Sequence, residues 1–213
     1  NAVGAIDDRQ NNRRFLAIIQ KNAARMHRLI DDILELSAIE AGNVKLQPEP
    51  VRLRPLVEDI TGSLTAAATT RNVTVRNLVQ PEVEVFADPH RLMQMLTNLI
   101  DNAIKFNREE GTVSISFKQD HRDRILIKDT GEGIPTHHLE RLFERFYRVD
   151  RARSRDLGGT GLGLAIVKHL ARSHGGEVSV QSRFGEGTQF TIELPRQLGA
   201  HDPEPPSVAA ARA

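Results

Sequence analysis

Apolar positions recur in alternating steps of four and three over residues 13–41, RRFLAIIQKNAARMHRLIDDILELSAIEA, at Phe15, Ile19, Met26, Leu29, Ile33 and Leu36, with Asn22 in phase among them. This heptad seam predicts one long helix, and a polar residue such as Asn22 within a seam fixes register and oligomer state at some cost in stability. Leu16, Ala23, Ile30 and Leu34 widen the apolar face beyond a two-stranded seam, so a helical bundle suits it better than a simple coiled coil. Gly42 is placed to end the helix.

From Val44 the texture changes to short alternating strands between helices, so a second domain is expected from residue 43. Val113, Ile115 and Phe117 alternate with Ser114 and Ser116, Ile125 and Ile127 with Arg124 and Lys128, and Phe190, Ile192 and Leu194 with Thr191 and Glu193. One sheet face is then covered and the other meets water, which predicts an α+β layer pair rather than a parallel sheet wrapped on both sides. Helices are predicted over 54–69, 88–107, 136–142 and 161–174. After Pro195 the tail is rich in Pro and Ala, and a disordered segment is expected over 197–213.

Composition narrows the function classes. The 213 residues are 39% hydrophobic and 27% charged with a net charge of +1, which describes a globular chain without the basic footprint of a nucleic-acid binder. Eight Phe and one Tyr leave few aromatic platforms for stacking bases. Zero cysteines exclude disulfides, thiolate metal sites and a cysteine nucleophile. No apolar run approaches a membrane span, so a cytoplasmic chain is expected; any anchoring in an inner membrane would come from parts of a longer protein. The chain opens on Asn1 rather than Met, and further residues are expected upstream.

Three segments carry candidate chemistry. In NLIDNAIKF, Asn98, Asn102 and Lys105 fall within about 60° of one another on a helix. Carboxamide oxygens suit a hard cation and an ammonium suits phosphate, so this stripe can hold a magnesium triphosphate; a solvated helix face would look the same. Asp129 ends the strand RILIKD in phase with Ile125 and Ile127 and so points to the covered face, where a carboxylate needs hydrogen bonds. Gly131, Gly133 and Ile134 follow in DTGEGIP, a turn that admits a planar ligand whose amino group could donate to Asp129; a plain turn cap is the alternative. In LGGTGLGLAIVKHL, Gly158, Gly159, Gly161 and Gly163 lead into an apolar helix, presenting backbone N–H groups to phosphate, or else forming a flexible hinge. No Gly-Lys-Ser/Thr, Rossmann or eukaryotic-kinase signature competes. Between these segments LFERFYRVDRARSRD reads as a mobile lid with Arg148 in reach of phosphate, or as an ordinary surface loop.

Taken in order, NLIDNAIKF, DTGEGI, FERFYR, GGTGLGL and GEGTQF resemble the N box, first glycine box, phenylalanine box, second glycine box and third glycine motif of sensor histidine kinases of two-component systems, of a phosphate-regulon-sensor-like class. The resemblance covers residues 13–195. It implies the Bergerat (GHKL) sandwich also found in gyrase, Hsp90 chaperones and MutL, with a mixed sheet covered on one face by helices and a helical hairpin segment before it. Residues 1–42 would be part of a dimerising segment and 43–196 the catalytic ATP-binding domain. By the same resemblance Asn102 would ligate Mg2+ with Asn98 in support. Lys105 and Arg148 would meet phosphates, and Phe106 and Tyr147 would lie near the nucleotide. Asp129 would read the adenine amino group with help from Gly133 and Thr188, while Gly159, Thr160, Gly161 and Leu162 would wrap the phosphates.

The family's phospho-accepting histidine opens a His-Glu/Asp-Leu-Arg/Lys-x-Pro-like segment, and nothing of that form occurs among the eight histidines. The helix at 13–41 resembles the second helix of the hairpin, so the acceptor is expected upstream, and the chain alone is not expected to phosphorylate itself. The implied partners are a second copy, through the N-terminal helix, and a response-regulator receiver domain. A nucleotide-binding pseudokinase or scaffold is the alternative. A hydrolysing ATPase fits less well: its general-base glutamate would stand four residues before Asn102, where this chain has Asn98.

Overall fold

A computed structural model describes residues 9–42, 45–150 and 159–196. The tail from 197, residues 151–158 of the charged stretch and Gly158 with them lie outside the described residues.

The heptad region is one helix, α1 (Arg9–Glu40). It is the only helix before the sandwich among the described residues. Its apolar seam has two fates. Leu36 and Ile39 are buried against the rest of the molecule and Leu29 is half-buried, whereas Phe15, Leu16, Ile19, Met26 and Leu34 are exposed.

A small antiparallel pair follows. Strand β1 (Glu49–Arg52) leads into α2 (Leu53–Thr70) and β2 (Thr74–Asn77), and β3 (Glu84–Ala87) returns to pair with β1, setting Val51 opposite Val85. Helix α3 (Pro89–Lys105) starts where the sequence demands it. Asp88 caps it, its Oδ1 accepting the N–H groups of His90 and Arg91 at 3.0 and 3.1 Å, and Pro89 occupies the first turn, where its missing N–H costs nothing. Leu92, Met95, Leu96, Leu99, Ile100, Ala103 and Ile104 form its buried stripe at helical spacing.

Strands β4 (Thr112–Gln119) and β5 (Arg122–Asp129) form a hairpin, a single helical turn α4 (Thr136–Leu139) follows, and α5 (Gly163–Ser173), β6 (Glu177–Arg183) and β7 (Gly187–Pro195) complete the chain. The expected helix 136–142 thus shortens to one turn, with hydrogen-bonded turns after it. The main sheet has the order β2-β4-β5-β7-β6, parallel only between β2 and β4, and is the mixed sheet expected. Register lines up Ile115 with Ile127, Ile127 with Phe190 and Ile125 with Ile192, so these side chains share the face that packs under the helices. The opposite face is less wet than strict alternation predicts. Leu126 and Thr191, paired across β5 and β7, are buried because β5 is the middle strand and is flanked on both sides. Asp129, at the end of β5, stays in phase with Ile125 and Ile127 and is buried, as its position predicted.

Candidate functional site

Helix α3, the end of β5 and the N-terminus of α5 meet around an open cavity of about 490 Å3. One wall is the stripe on α3: Asn98, Asn102, Lys105 and Phe106 all line it, the first three half-buried and Phe106 41% exposed. Asp101, which the stripe argument passed over, lines it as well, and its carboxylate accepts a hydrogen bond from Lys105 Nζ. That pair was legible in the sequence as an acid four residues before a lysine on one helix.

The far end is built around Asp129. Its Oδ1 accepts two backbone N–H groups, from Gly131 at 2.8 Å and from Thr188 at 3.1 Å, and Oδ2 has no partner among the described residues. Burial pushes this carboxyl above the usual range, and the two N–H bonds offset only part of that push. Gly133 has φ +68°, and a Cβ there would run into the carbonyl of Arg183, so only glycine lets the two segments close. Ser182 then ties the corner, its Oγ accepting from the Ile134 N–H at 2.8 Å and lying 2.9 Å from Thr188 Oγ1. Ser182 gave no signal in the sequence, since a serine in an exposed strand is ordinary.

The third wall is the glycine segment before α5. Gly159, Thr160, Gly161 and Gly163 line the cavity, and Tyr147 and Arg148 face it from the preceding turns. Gly161 has φ +78° and lies so close to Phe146 that a Cβ would come within 3.0 Å of its backbone, while the Phe146 N–H donates to the Gly161 carbonyl at 2.9 Å. Two expected site residues fall elsewhere. Leu162 is fully buried in the core at the start of α5, because the left-handed turn at Gly161 aims its side chain inward; only its backbone N–H is near, 3.3 Å from Thr160 Oγ1. Gly131 is buried behind Asp129 and acts through the N–H it donates, without lining the cavity. Ile134, Gly133 and Thr188 do line it.

Helix α1 also reaches the cavity. Thr160 Oγ1 donates to Asp32 Oδ2 at 2.7 Å, and Asp32 lines the cleft. Further along α1, Glu35 accepts from Arg91 and Gln94 on α3, and Glu40 accepts from Arg145 and lies 3.3 Å from His169 on α5. Phe184, 68% exposed at the β6–β7 turn, borders the opposite rim.

The donor chemistry bears on metal binding. No group of three or more His, Cys, Asp or Glu gathers as a cation site among the described residues. Two carboxamides on one face of α3, beside a lysine and a glycine-rich backbone, instead suit a hard divalent ion that brings anionic oxygens with it.

The family model described as histidine kinase-, DNA gyrase B- and HSP90-like ATPase matches residues 87–198, which include every wall of this cavity except Asp32. Sensor histidine kinase WalK of Bacillus subtilis (strain 168) is 36% identical over 197 residues, covering 91% of this chain and 32% of its own. Among solved structures, full-length ShkA in complex with AMPPNP superposes with a TM-score of 0.75 at 29% identity, over 86% of this chain and 38% of that one. The histidine kinase ThkA in complex with the response regulator protein TrrA shares the fold, with a TM-score of 0.70 at 24% identity, over 89% of this chain and 53% of that one. The chain belongs to the histidine kinase, DNA gyrase B and HSP90-like ATPase family and carries a catalytic domain of the histidine kinase type. It spans about a third of the length of the curated relatives it matches.

Proposed function

We propose that this chain is the ATP-binding catalytic portion of a sensor histidine kinase, delivering the γ-phosphoryl group of ATP to a histidine on a segment outside these residues. The observation that carries this reading is the convergence of three separate sequence segments, around Asn102, Asp129 and Gly161, on one cavity. In this reading Asp129 Oδ2 accepts the adenine amino group while Gly131 and Thr188 hold Oδ1. Phe106 and Tyr147 flank the base and ribose. The N–H groups of Gly159 to Gly163, with Lys105 and Arg148, bind the phosphate oxygens, where a helix N-terminus favours negative charge.

Asn102, supported by Asn98, would hold Mg2+, which when bound neutralises charge on the phosphates. The protein's own contribution is positioning. It fixes the γ-phosphorus in line between the incoming imidazole nitrogen and the bridging oxygen; the N–P bond forms, the P–O bond breaks, and ADP leaves with the electron pair. An aspartate on a response-regulator receiver domain would then take the phosphoryl group; ThkA, which shares the fold, forms a complex with a response regulator protein. The exposed apolar row of α1 is proposed to pair with a second copy, and residues up to 42 to form part of that dimerising unit, with the catalytic domain from 43 to 196. No helix among the described residues is long and apolar enough to cross a membrane; a cytoplasmic location, with any anchoring through other parts of a longer protein, completes the proposal.

The test follows γ-labelled ATP. The chain alone is expected to release phosphate negligibly and to carry no label, and an extended chain with an acceptor histidine is expected to gain acid-labile label. Brisk phosphate release would support a hydrolase, and no label on the extended chain would support a scaffold.

A further inference from the structure

The segment from Glu140 to Asp150 is made of turns, so no regular element fixes the one side chain in it with both a ring and a hydroxyl, Tyr147. Two contacts do. Tyr147 Oη lies 2.5 Å from His138 Nδ1 on α4, and the Arg141 guanidinium sits 4.4 Å over the Tyr147 ring; the His137 ring lies 4.0 Å from that of His138, tilted by 43°. Arg141 is itself held by Glu144, with contacts of 3.0 to 3.2 Å. Tyr147 lines the cleft; His138 does not.

We propose that His138 is a positioning residue for the nucleotide cleft: its imidazole holds the Tyr147 ring in the cleft wall through the phenol hydroxyl, so that nucleotide affinity follows the protonation of that imidazole. The inference rests on the nucleotide reading of the cleft. The neutral imidazole accepts the phenol proton at Nδ1 and carries its own hydrogen at Nε2. Desolvation, and then the neighbouring His137 and Arg141, lower the pKa of His138 below the ordinary histidine value, so the accepting form prevails at neutral pH. The charged and titratable groups that act on it are His137 and Arg141, the latter with its partner Glu144; β6, which packs on α4, ends in Arg183, paired with Glu186. Protonation turns Nδ1 into a donor and sets an imidazolium beside the Arg141 guanidinium. The phenol oxygen then accepts from that N–H instead of donating, and repulsion between the imidazolium and the guanidinium that also holds the ring loosens the grip.

The chain carries its own probe, because Tyr147 is its one tyrosine and it has no tryptophan. Emission excited at wavelengths that its eight phenylalanines do not absorb therefore reports this ring alone, and a phenol bonded to a basic acceptor emits weakly. Wild-type emission should be low near neutral pH and rise as acid protonates the imidazole. His138→Leu should be bright and insensitive to pH, and His138→Gln, whose amide oxygen can accept the phenol proton, should restore part of the quenching. In parallel, Mg-ATP should bind His138→Leu about fivefold more weakly than wild type, the scale of one hydrogen bond, with His138→Gln between them. Wild-type emission indistinguishable from His138→Leu across the pH range, or equal nucleotide affinity in the two, overturns the proposal. A titrating emission in a chain that binds no nucleotide contradicts the nucleotide reading itself and leaves the anchoring of Tyr147 standing.

Discussion

Thr160, in the glycine segment, donates its hydroxyl to Asp32 on α1 at 2.7 Å, joining two residues 128 positions apart at the edge of one cavity. In the proposed nucleotide reading, the contact sets a carboxylate beside the phosphates. Like charges in a partly dry cleft repel by more than they do in bulk water. Asp32→Asn, which keeps an acceptor for Thr160, should tighten ATP binding by about threefold or more at low ionic strength, with the gain shrinking at high salt. Calorimetry at two salt concentrations checks this, and unchanged affinity at both would show that α1 does not press on the phosphates.

Asp129→Asn separates the structural and recognition duties of one side chain. The amide oxygen can keep the Gly131 and Thr188 bonds, so thermal stability should hold or rise, since burial no longer strains a charge. The amide nitrogen then faces the adenine amino group, donor against donor, and ATP affinity should fall by about 10- to 100-fold. A purine with a carbonyl at that position should suffer less. The raised Asp129 pKa has two further consequences. The folded state binds this proton more tightly than the unfolded chain, so the group adds stability as pH falls through its folded pKa towards its unfolded one. ATP affinity should meanwhile start to drop at a pH above the ordinary carboxylate range. Binding isotherms and melting curves across acid pH read both.

Asp88 behaves in the opposite way. Burial alone would raise its pKa, but the N–H groups of Gln47, Arg91 and His90, with His174 nearby, together hold it below the ordinary value. Its stabilising share is therefore present above the unfolded pKa and is lost as pH falls through the lower folded one. Asp88→Ala removes the cap of α3 and the 3.0 Å bond that anchors the Gln47 N–H, and should cost about 1–2 kcal/mol in chemical denaturation near neutral pH. A cost near zero there would mean that water replaces the cap.

The exposed row on α1 predicts self-association. Ile19→Glu with Met26→Glu should convert a dimer to monomer in light scattering while leaving nucleotide affinity unchanged, because both side chains are exposed and lie outside the cleft wall. A wild-type chain that is monomeric at high concentration contradicts the pairing.

The sequence was most informative where periodicity or parity acts over a few residues. Asn98, Asn102 and Lys105 share a face because helical spacing requires it, and Asp129 points inward because it is two residues past Ile127 on a strand. It was less informative where the backbone turns. The positive φ at Gly161 sends Leu162 into the core, and strands of four residues such as β2 and β3 are too short to show alternation. Contacts made by distant segments left no local trace. Asp32 is one acid among several on an amphipathic helix, and Ser182 one serine in an edge strand, until the fold sets them against Thr160 and Thr188.

Calorimetric titration of the chain with ATP, with magnesium and again with a chelator, tests the central claim most directly when wild type is compared with Asn102→Ala. One nucleotide should bind per chain with magnesium present, and either chelation or Asn102→Ala should weaken binding by about tenfold or more, the loss of a metal-mediated phosphate contact. No binding by the wild type, or equal affinity in wild type and Asn102→Ala with magnesium present, would contradict the assignment of this cleft.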